Sequence, residues 1–262
     1  MILLSLITVV YNDSRGLERT ISSIDEAVMP LSNILNVEHL IVDGGSTDGF
    51  VELTKDLCSK RAVSTFIISE PDEGIYDAMN KGVLYARGEG VLFLNAGDEI
   101  HPCCSLDDVL QSILCILPSR KVAGLAYYST MKIGRRELLI KSRRVSKNYP
   151  RMPGIHQAMI YKRPILLSVP FDTNFVICGD YDNFARIVTN YGYFVPVERT
   201  FARFHAGGLS SKSPRQLMRE SFYISNTHFG LNIINKVILT LRLIISISFL
   251  QIVLFFEKKY LD

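Results

Sequence analysis

The chain has 262 residues, 48% of them hydrophobic and 21% charged, with a formal net charge of +3 from 29 basic and 26 acidic side chains. That composition excludes a disordered chain and allows a sizeable core, while the charge is too small by itself to point to nucleic acid. At about 150 residues per domain the length fits one large domain or two small ones. The five cysteines, at 58, 103, 104, 115 and 178, lack metal-ligand spacing, and the adjacent pair Cys103-Cys104 suits no simple disulfide framework, so a reducing compartment is expected.

Ile2 to Val10 is almost continuously apolar and β-branched. Without a basic segment before it, this run reads as a strand buried on both faces rather than a signal peptide. A polar helical stretch follows from about Ser14 to Ala27, then a short apolar run, Val37 to Val42, that stops at Asp43-Gly44-Gly45-Ser46. Thr47 to Lys60 reads as helix, Thr65 to Ser69 as strand, and Ile75 to Ala86 as helix, with Ile75, Met79, Val83 and Ala86 at helical spacing. Val91 to Leu94 is a fourth strand, ending at Asn95-Ala96-Gly97-Asp98. Alternating strands and helices predict a doubly wound α/β half with a mostly parallel sheet over residues 1–100. Ligands of such sheets bind beyond the carboxyl ends of the strands, so Tyr11-Asn12, Asp43 and Asp98 are expected to share one crevice.

Residues 120–210 are less regular. Tyr127–Thr130 and Leu138–Ile140 predict a hairpin around Gly134, and Phe184 to Asn190 a helix after Asp180-Tyr181-Asp182. Between Met131 and Arg151 eight basic residues (132, 135, 136, 141, 143, 144, 147, 151) face one acid, Glu137. Leu243 to Phe256 is fourteen residues without a charge, short of the ~20 a membrane span needs. With Lys236, Arg242 and Glu257-Lys258-Lys259 around it, the tail reads as amphipathic helices lying in a membrane interface; a buried helix or a homodimer interface is the other use of such a surface.

Four segments stand in order, each after a predicted strand: Thr8-Val9-Val10-Tyr11-Asn12, Val42 to Gly49 (VDGGSTDG), Glu70 to Gly82 (EPDEGIYDAMNKG) and Leu94-Asn95-Ala96-Gly97-Asp98. Together they closely resemble family 2 glycosyltransferases with the GT-A fold, in particular the bacterial branch that builds surface polysaccharides. The resemblance covers residues 1–210 and implies a nucleotide-sugar-binding half at 1–100, an acceptor half at 101–210 and a helical tail at 211–262.

It also implies roles. Asp43 would hydrogen-bond the nucleotide base or ribose, with Gly44-Gly45 permitting close backbone approach; as a plain turn residue it would cap the next helix. Thr8 and Tyr11 would line the same pocket or belong to the core. Asp72, Tyr76 and Lys81 fall in the nucleotide-sugar segment; Lys81 either reaches the diphosphate or pairs with Asp77 one helical turn away. Asp98 would hold Mg²⁺ or Mn²⁺ against the diphosphate, aided by Asn95 or Glu99, although the usual Asp-x-Asp is absent and Asn95-Ala96-Gly97-Asp98 stands in its place. His156 and Gln157 resemble a segment beside the donor sugar and acceptor. In Cys178-Gly179-Asp180-Tyr181-Asp182, Asp180 would be the catalytic base, Gly179 replacing the family's usual glutamate. Asp182 would face the sugars or complement the helix dipole. His205 would join Asp98 on the metal, and Gly207-Gly208-Leu209-Ser210 would form a lid.

The activity so implied is inverting, metal-dependent transfer from a nucleotide sugar, UDP-linked first, to a hydroxyl of a lipid-diphosphate-linked oligosaccharide in polysaccharide or O-antigen synthesis. It would take place on the cytoplasmic face of the cell membrane. A nucleotidyltransferase would carry a glycine-rich, lysine-bearing loop after the first strand, which residues 11–16 do not supply. A scaffold that merely kept the fold would have no need of Asp43, Asp98 and Asp180 together.

Overall fold

β1, Leu4–Val10, is buried along its whole length, as expected of a strand whose sheet is covered by helices on both faces. A computed structural model describes residues 1–58, 61–133, 136–145, 151–205, 213–230, 232–241, 243–245 and 248. β1 lies between two parallel neighbours. β2 (Val37–Asp43) pairs with it from Leu4↔Val37 to Val10↔Asp43, and β4 (Gly90–Phe93) from Leu4↔Gly90 to Ile7↔Phe93. β3 (Ser64–Ser69) adds in parallel outside β2.

Beyond β4 the sheet becomes mixed. β8 (Met159–Lys162) runs antiparallel between β4 and β6 (Val122–Ile133), β9 (Tyr193–His205) runs parallel to β6, and β5 (Glu99–Ile100) pairs antiparallel with β9. The order is β3-β2-β1-β4-β8-β6-β9-β5, with β7 (Arg136–Ile140) paired to β6 off this path. Chain direction across the sheet reverses between β1 and β4, and this switch point opens a crevice at their carboxyl ends.

The helices are α1 (Ser14–Val28), α2 (Phe50–Cys58), α3 (Ile75–Tyr85), α4 (Leu106–Ile116), α5 (Arg163–Ser168), α6 (Gly179–Asn190) and α7 (Pro214–Phe229). Period-2 alternation along β1 sorts them onto two faces. Leu4 and Leu6 pack with Ile24 and Val28 of α1 and with Val109, Leu110 and Ile113 of α4. Ile7 and Val9 pack with Met79 and Val83 of α3 and with Phe184 and Ile187 of α6. Asp13 caps α1 by accepting from the Gly16 amide at 2.9 Å, and Ser105 caps α4. Glu38, a fully buried carboxylate of β2, is compensated by Ser5 Oγ at 2.6 Å and by the Arg87 amide and Nε at 2.6 and 2.8 Å, as a charge taken out of water must be.

The four strands and three helices expected over residues 1–100 are present. The expected hairpin also forms, from Ser129↔Ile140 to Ile133↔Arg136, on a longer first strand; Gly134 itself lies outside the described residues. In the tail, α7 packs on α6 and buries Glu220, Ser221, Ile224 and Ser225. Past Gly230, residues 233–241 and 243–245 are helical and expose Ile233, Ile234, Val237, Leu241, Ile244 and Ile245. Among the described residues no helix is long and apolar enough to cross a membrane.

Gly124 marks the tightest strand packing: a Cβ there would lie 2.1 Å from the Ile160 carbonyl oxygen and 2.7 Å from the Phe194 ring. Gly124→Ala should therefore cost about 1–3 kcal/mol of stability, read from the urea midpoint, and an unchanged midpoint would contradict this packing.

Candidate active site

The loops after β1 and β2 are sewn together at the crevice. Asn12, in the left-handed region at φ 50°, donates its amide to Ser46 Oγ at 2.7 Å and accepts the Thr47 amide on Oδ1 at 2.9 Å. Asp43 is buried, and its carboxylate accepts the Ser46 amide at 3.1 and 3.2 Å and the Ser69 hydroxyl at 2.7 Å. It organises the turn through Gly44. Asp72, half-exposed, is the carboxylate set against that turn: a Cβ on Gly44 would fall 2.5 Å from its Oδ2. Tyr11 is 66% exposed at the mouth. Thr8 takes the core alternative: it is fully buried, with its hydroxyl 2.9 Å from His39 Nε2.

Asp98 stands at the end of β4 in a turn held by its amide to the Asn95 carbonyl (2.9 Å) and by Thr20 of α1, whose hydroxyl reaches the Asp98 carbonyl at 2.7 Å. Its side chain is 8% exposed and accepts one hydrogen bond, from Gln157 Nε2 at 3.1 Å. Burial pushes its carboxyl up to about 7; the Gln157 bond opposes that rise and the Glu99 charge adds to it. On the same turn, Asn95 Oδ1 is buried with no hydrogen-bond partner among the described residues. A buried carboxylate and such an amide oxygen on one turn are oxygen ligands of the kind a hard divalent cation takes together with phosphates and waters.

Two expected helpers are engaged elsewhere. Glu99 is bound by His205 Nε2 at 2.7 Å and Arg203 Nη1 at 3.2 Å, and although burial alone would raise its carboxyl, those bonds hold it below the usual value. His205 thus sits on Glu99 rather than on Asp98. Among the described residues no three His, Cys, Asp or Glu side chains gather as a metal cluster. One cation was not read from the sequence: Arg19, exposed on α1, brings Nη2 to 3.5 Å from where a Gly97 Cβ would stand. Its only sequence signal is helical register one residue before Thr20.

Asp180 is half-buried in the first turn of α6. Burial pushes its carboxyl up to about 6, backbone bonds oppose the rise, and the Glu220 charge adds to it. Tyr76 and Gly179 explain each other: a Cβ at 179 would lie 2.7 Å from the Tyr76 ring, whose hydroxyl donates to the Ile177 carbonyl at 2.5 Å. Tyr76 thus packs against the start of α6 that carries Asp180. Lys81 makes the ion pair that its spacing from Asp77 allows. Its ammonium is held by the Pro71 carbonyl (2.9 Å), Asp77 (3.1 Å) and Glu70 (3.2 Å), pinning the 70–74 loop to α3. Asp182 turns away from the crevice to Arg186 (2.7 Å) and His228 (2.9 Å).

The short turn His156–Ala158 stands directly before β8. Gln157 reaches Asp98, and His156 Nδ1 lies 3.2 Å from the Tyr161 hydroxyl, whose ionisation the Asp180 charge opposes further after burial. His156 stacks on Phe93 at 5.1 Å; burial lowers it to about 4, so it is neutral, and its Nε2 has no protein partner. Residues 206–210, the expected lid, lie outside the described residues.

A parallel-to-mixed sheet with acidic groups at its switch point defines the class: an α/β protein of the GT-A type. The chain belongs to glycosyl transferase family 2, whose model matches residues 5–166. It is 26% identical over 179 residues, 66% of this chain and 68% of the relative, to a PGL/p-HBAD biosynthesis glycosyltransferase of Mycobacterium bovis. It is 38% identical over 94 residues to an uncharacterized glycosyltransferase of Mycobacterium tuberculosis, of which it spans 33%. Among solved structures, a mannosyltransferase from Pyrobaculum calidifontis in complex with GDP-Man and Mn²⁺ shares the fold at TM-score 0.68 and 15% identity, covering 96% of this chain and 73% of that one. S. aureus TarS in complex with UDP does so at TM-score 0.62 and 16% identity, covering 87% and 66%.

An acid raised by burial destabilises the fold wherever it is ionised, so stability should increase as pH falls from about 7 toward the unfolded value of about 3.9. Asp98→Asn should raise Tm at pH 8 in chelator and flatten that pH dependence. A lowered Tm at pH 8 would show that the carboxylate is stabilised by a neighbour instead.

Proposed function

We propose that the chain transfers a sugar, with inversion, from a nucleotide sugar to an acceptor hydroxyl, and that Asp180 is the base. The observation that carries this is Asp98, a buried carboxylate on the turn after β4 whose one hydrogen bond among the described residues comes from Gln157, together with Asp180, a second carboxylate raised by burial in the first turn of α6. The donor is UDP-linked in the first instance, in keeping with TarS bound to UDP and to UDP-GlcNAc.

Asp98 and Asn95 Oδ1 would hold Mg²⁺ or Mn²⁺, which offsets charge on a leaving diphosphate. Arg19 stands ready on the other side of Gly97 for the same oxygens. Tyr11 and Asp72 face the nucleoside end of the crevice. Asp43 acts on it through the turn it organises and, in this reading, through its remaining lone pairs toward base or ribose. At the other corner Asp180, ionised above about pH 6, takes the proton of the acceptor hydroxyl as that oxygen bonds the anomeric carbon. The bond from that carbon to the diphosphate oxygen breaks, and its electron pair leaves with the nucleotide.

The acceptor in this proposal is carried on a lipid diphosphate. Support comes from the apolar stripe of Ile233, Ile234, Val237, Leu241, Ile244 and Ile245, which are 46–80% exposed. The exposed Arg136, Lys141, Arg143 and Arg144 suit anionic headgroups. The work would be done at a membrane surface, on its inner face.

Nucleoside diphosphate release should be screened with Mn²⁺ over UDP-glucose, UDP-galactose and UDP-GlcNAc (UDP) and GDP-mannose (GDP); no turnover with any nucleotide sugar would remove the proposal. With the donor selected, Asp180→Asn should lower kcat by about 10²–10⁴ while calorimetry shows donor binding retained. Equal turnover would take Asp180 out of the mechanism. Removing residues 231–262 should release the protein from phosphatidylglycerol vesicles in a sedimentation assay, and a full chain that never binds them would end the membrane reading.

A further inference from the structure

Glu220 lies on α7, beyond the stretch 5–166 that carries the family match. Its side chain is 5% exposed, and a carboxylate so placed needs partners of the opposite polarity. It finds them in three consecutive backbone amides: Val176 to Oε1 at 3.0 Å, Ile177 to Oε2 at 3.0 Å and Cys178 to Oε2 at 2.8 Å. Gln216, one turn earlier on α7, adds a bond to Oε1 at 2.6 Å. Those bonds hold Glu220 in its ionised form even though burial opposes it.

The three amides lead directly into α6, whose N-cap, Cys178, makes no side-chain bond to the helix. In a capping box the N-cap amide is taken by a glutamate of the same helix; here a glutamate from another helix does it. Ile177 is gripped on both sides, its amide by Glu220 and its carbonyl by the Tyr76 hydroxyl at 2.5 Å. Asp180 follows three residues on. The groups facing it are Tyr76 of α3, Tyr161 of β8, Cys178 beside it and Glu220 of α7. The phenols and the thiol are neutral at neutral pH, so Glu220 is the charge among them and its sign opposes ionisation of Asp180. Asp182 and His228 join the same two helices a second time, at 2.9 Å.

We propose that Glu220 is the positioning residue for the base of this enzyme. Its carboxylate fixes the 176–178 segment that presents Asp180. This rests on Asp180 being the base, and the test separates the two.

In Glu220→Gln, with folding confirmed by circular dichroism, the Val176, Ile177 and Cys178 amides should exchange with deuterium at least about tenfold faster than in the wild type. The carboxyl carbon signal of Asp180 should titrate at lower pH, and the acidic limb of the kcat profile should move the same way. With the donor selected above, kcat at pH 8 should fall by between about tenfold and about a hundredfold at nearly constant donor KM, and Glu220→Asp, which keeps the charge, should leave the titration closer to wild type. Unchanged exchange and titration in folded Glu220→Gln, alongside a dead Asp180→Asn, would overturn this proposal alone. Full turnover in Asp180→Asn would overturn the base reading and this proposal with it. Should Glu220→Gln fail to fold, the wild-type chain decides: the three amides must be among its slowly exchanging ones, and rapid exchange there overturns the proposal.

Discussion

One hydrogen bond, from Gln157 to Asp98 across 59 positions of sequence, holds the site in one piece. It exists because β8 enters the sheet antiparallel beside β4, with Leu92 opposite Ile160, and so delivers the turn before β8 to the end of β4. The same turn orients His156 toward Tyr161. Were β8 to slip by one residue its side chains would swap faces; Tyr161, now packed on Phe93 and Phe194, would leave the core.

Electrostatics then separates the carboxylates that build from those that are free to react. Glu38 is closed off by Arg87 and Ser5, Glu99 by Arg203 and His205, and Glu220 by backbone amides. Each is a buried charge that has found its partners. Asp98 and Asp180 are the exceptions: burial raises both and few donors answer it. Groups left in that state gather at sites of chemistry.

Much of the first hundred residues was legible because parallel strands covered on both faces leave continuous apolar runs, as from Ile2 to Val10, and end in polar turns, as at Asp43 and Asp98. The crevice residues could therefore be named from pattern alone. Roles were harder. Lys81 and Asp77 at one helical turn read equally well as a pair or a phosphate hand, and packing chose the pair, with Glu70 and the Pro71 carbonyl added. Thr8 looked like a pocket residue by position, but strand alternation turned it into the sheet toward His39. The four-residue β8 and two-residue β5 have no signal of their own, since strands so short owe their form to partners.

Sequence by itself determined the α/β class, the order of the nucleotide-side elements, the acidic residues at the strand ends and the apolar character of the tail, because local periodicity and turn chemistry record all of these. Only the tertiary structure decided which acids are partnered. It seated His205 on Glu99, set Tyr76 against Gly179 and brought Glu220 of α7 under the loop that carries Asp180. Those are contacts between residues far apart in the chain, formed by the packing of whole elements, and no local pattern of hydrophobicity or charge encodes them.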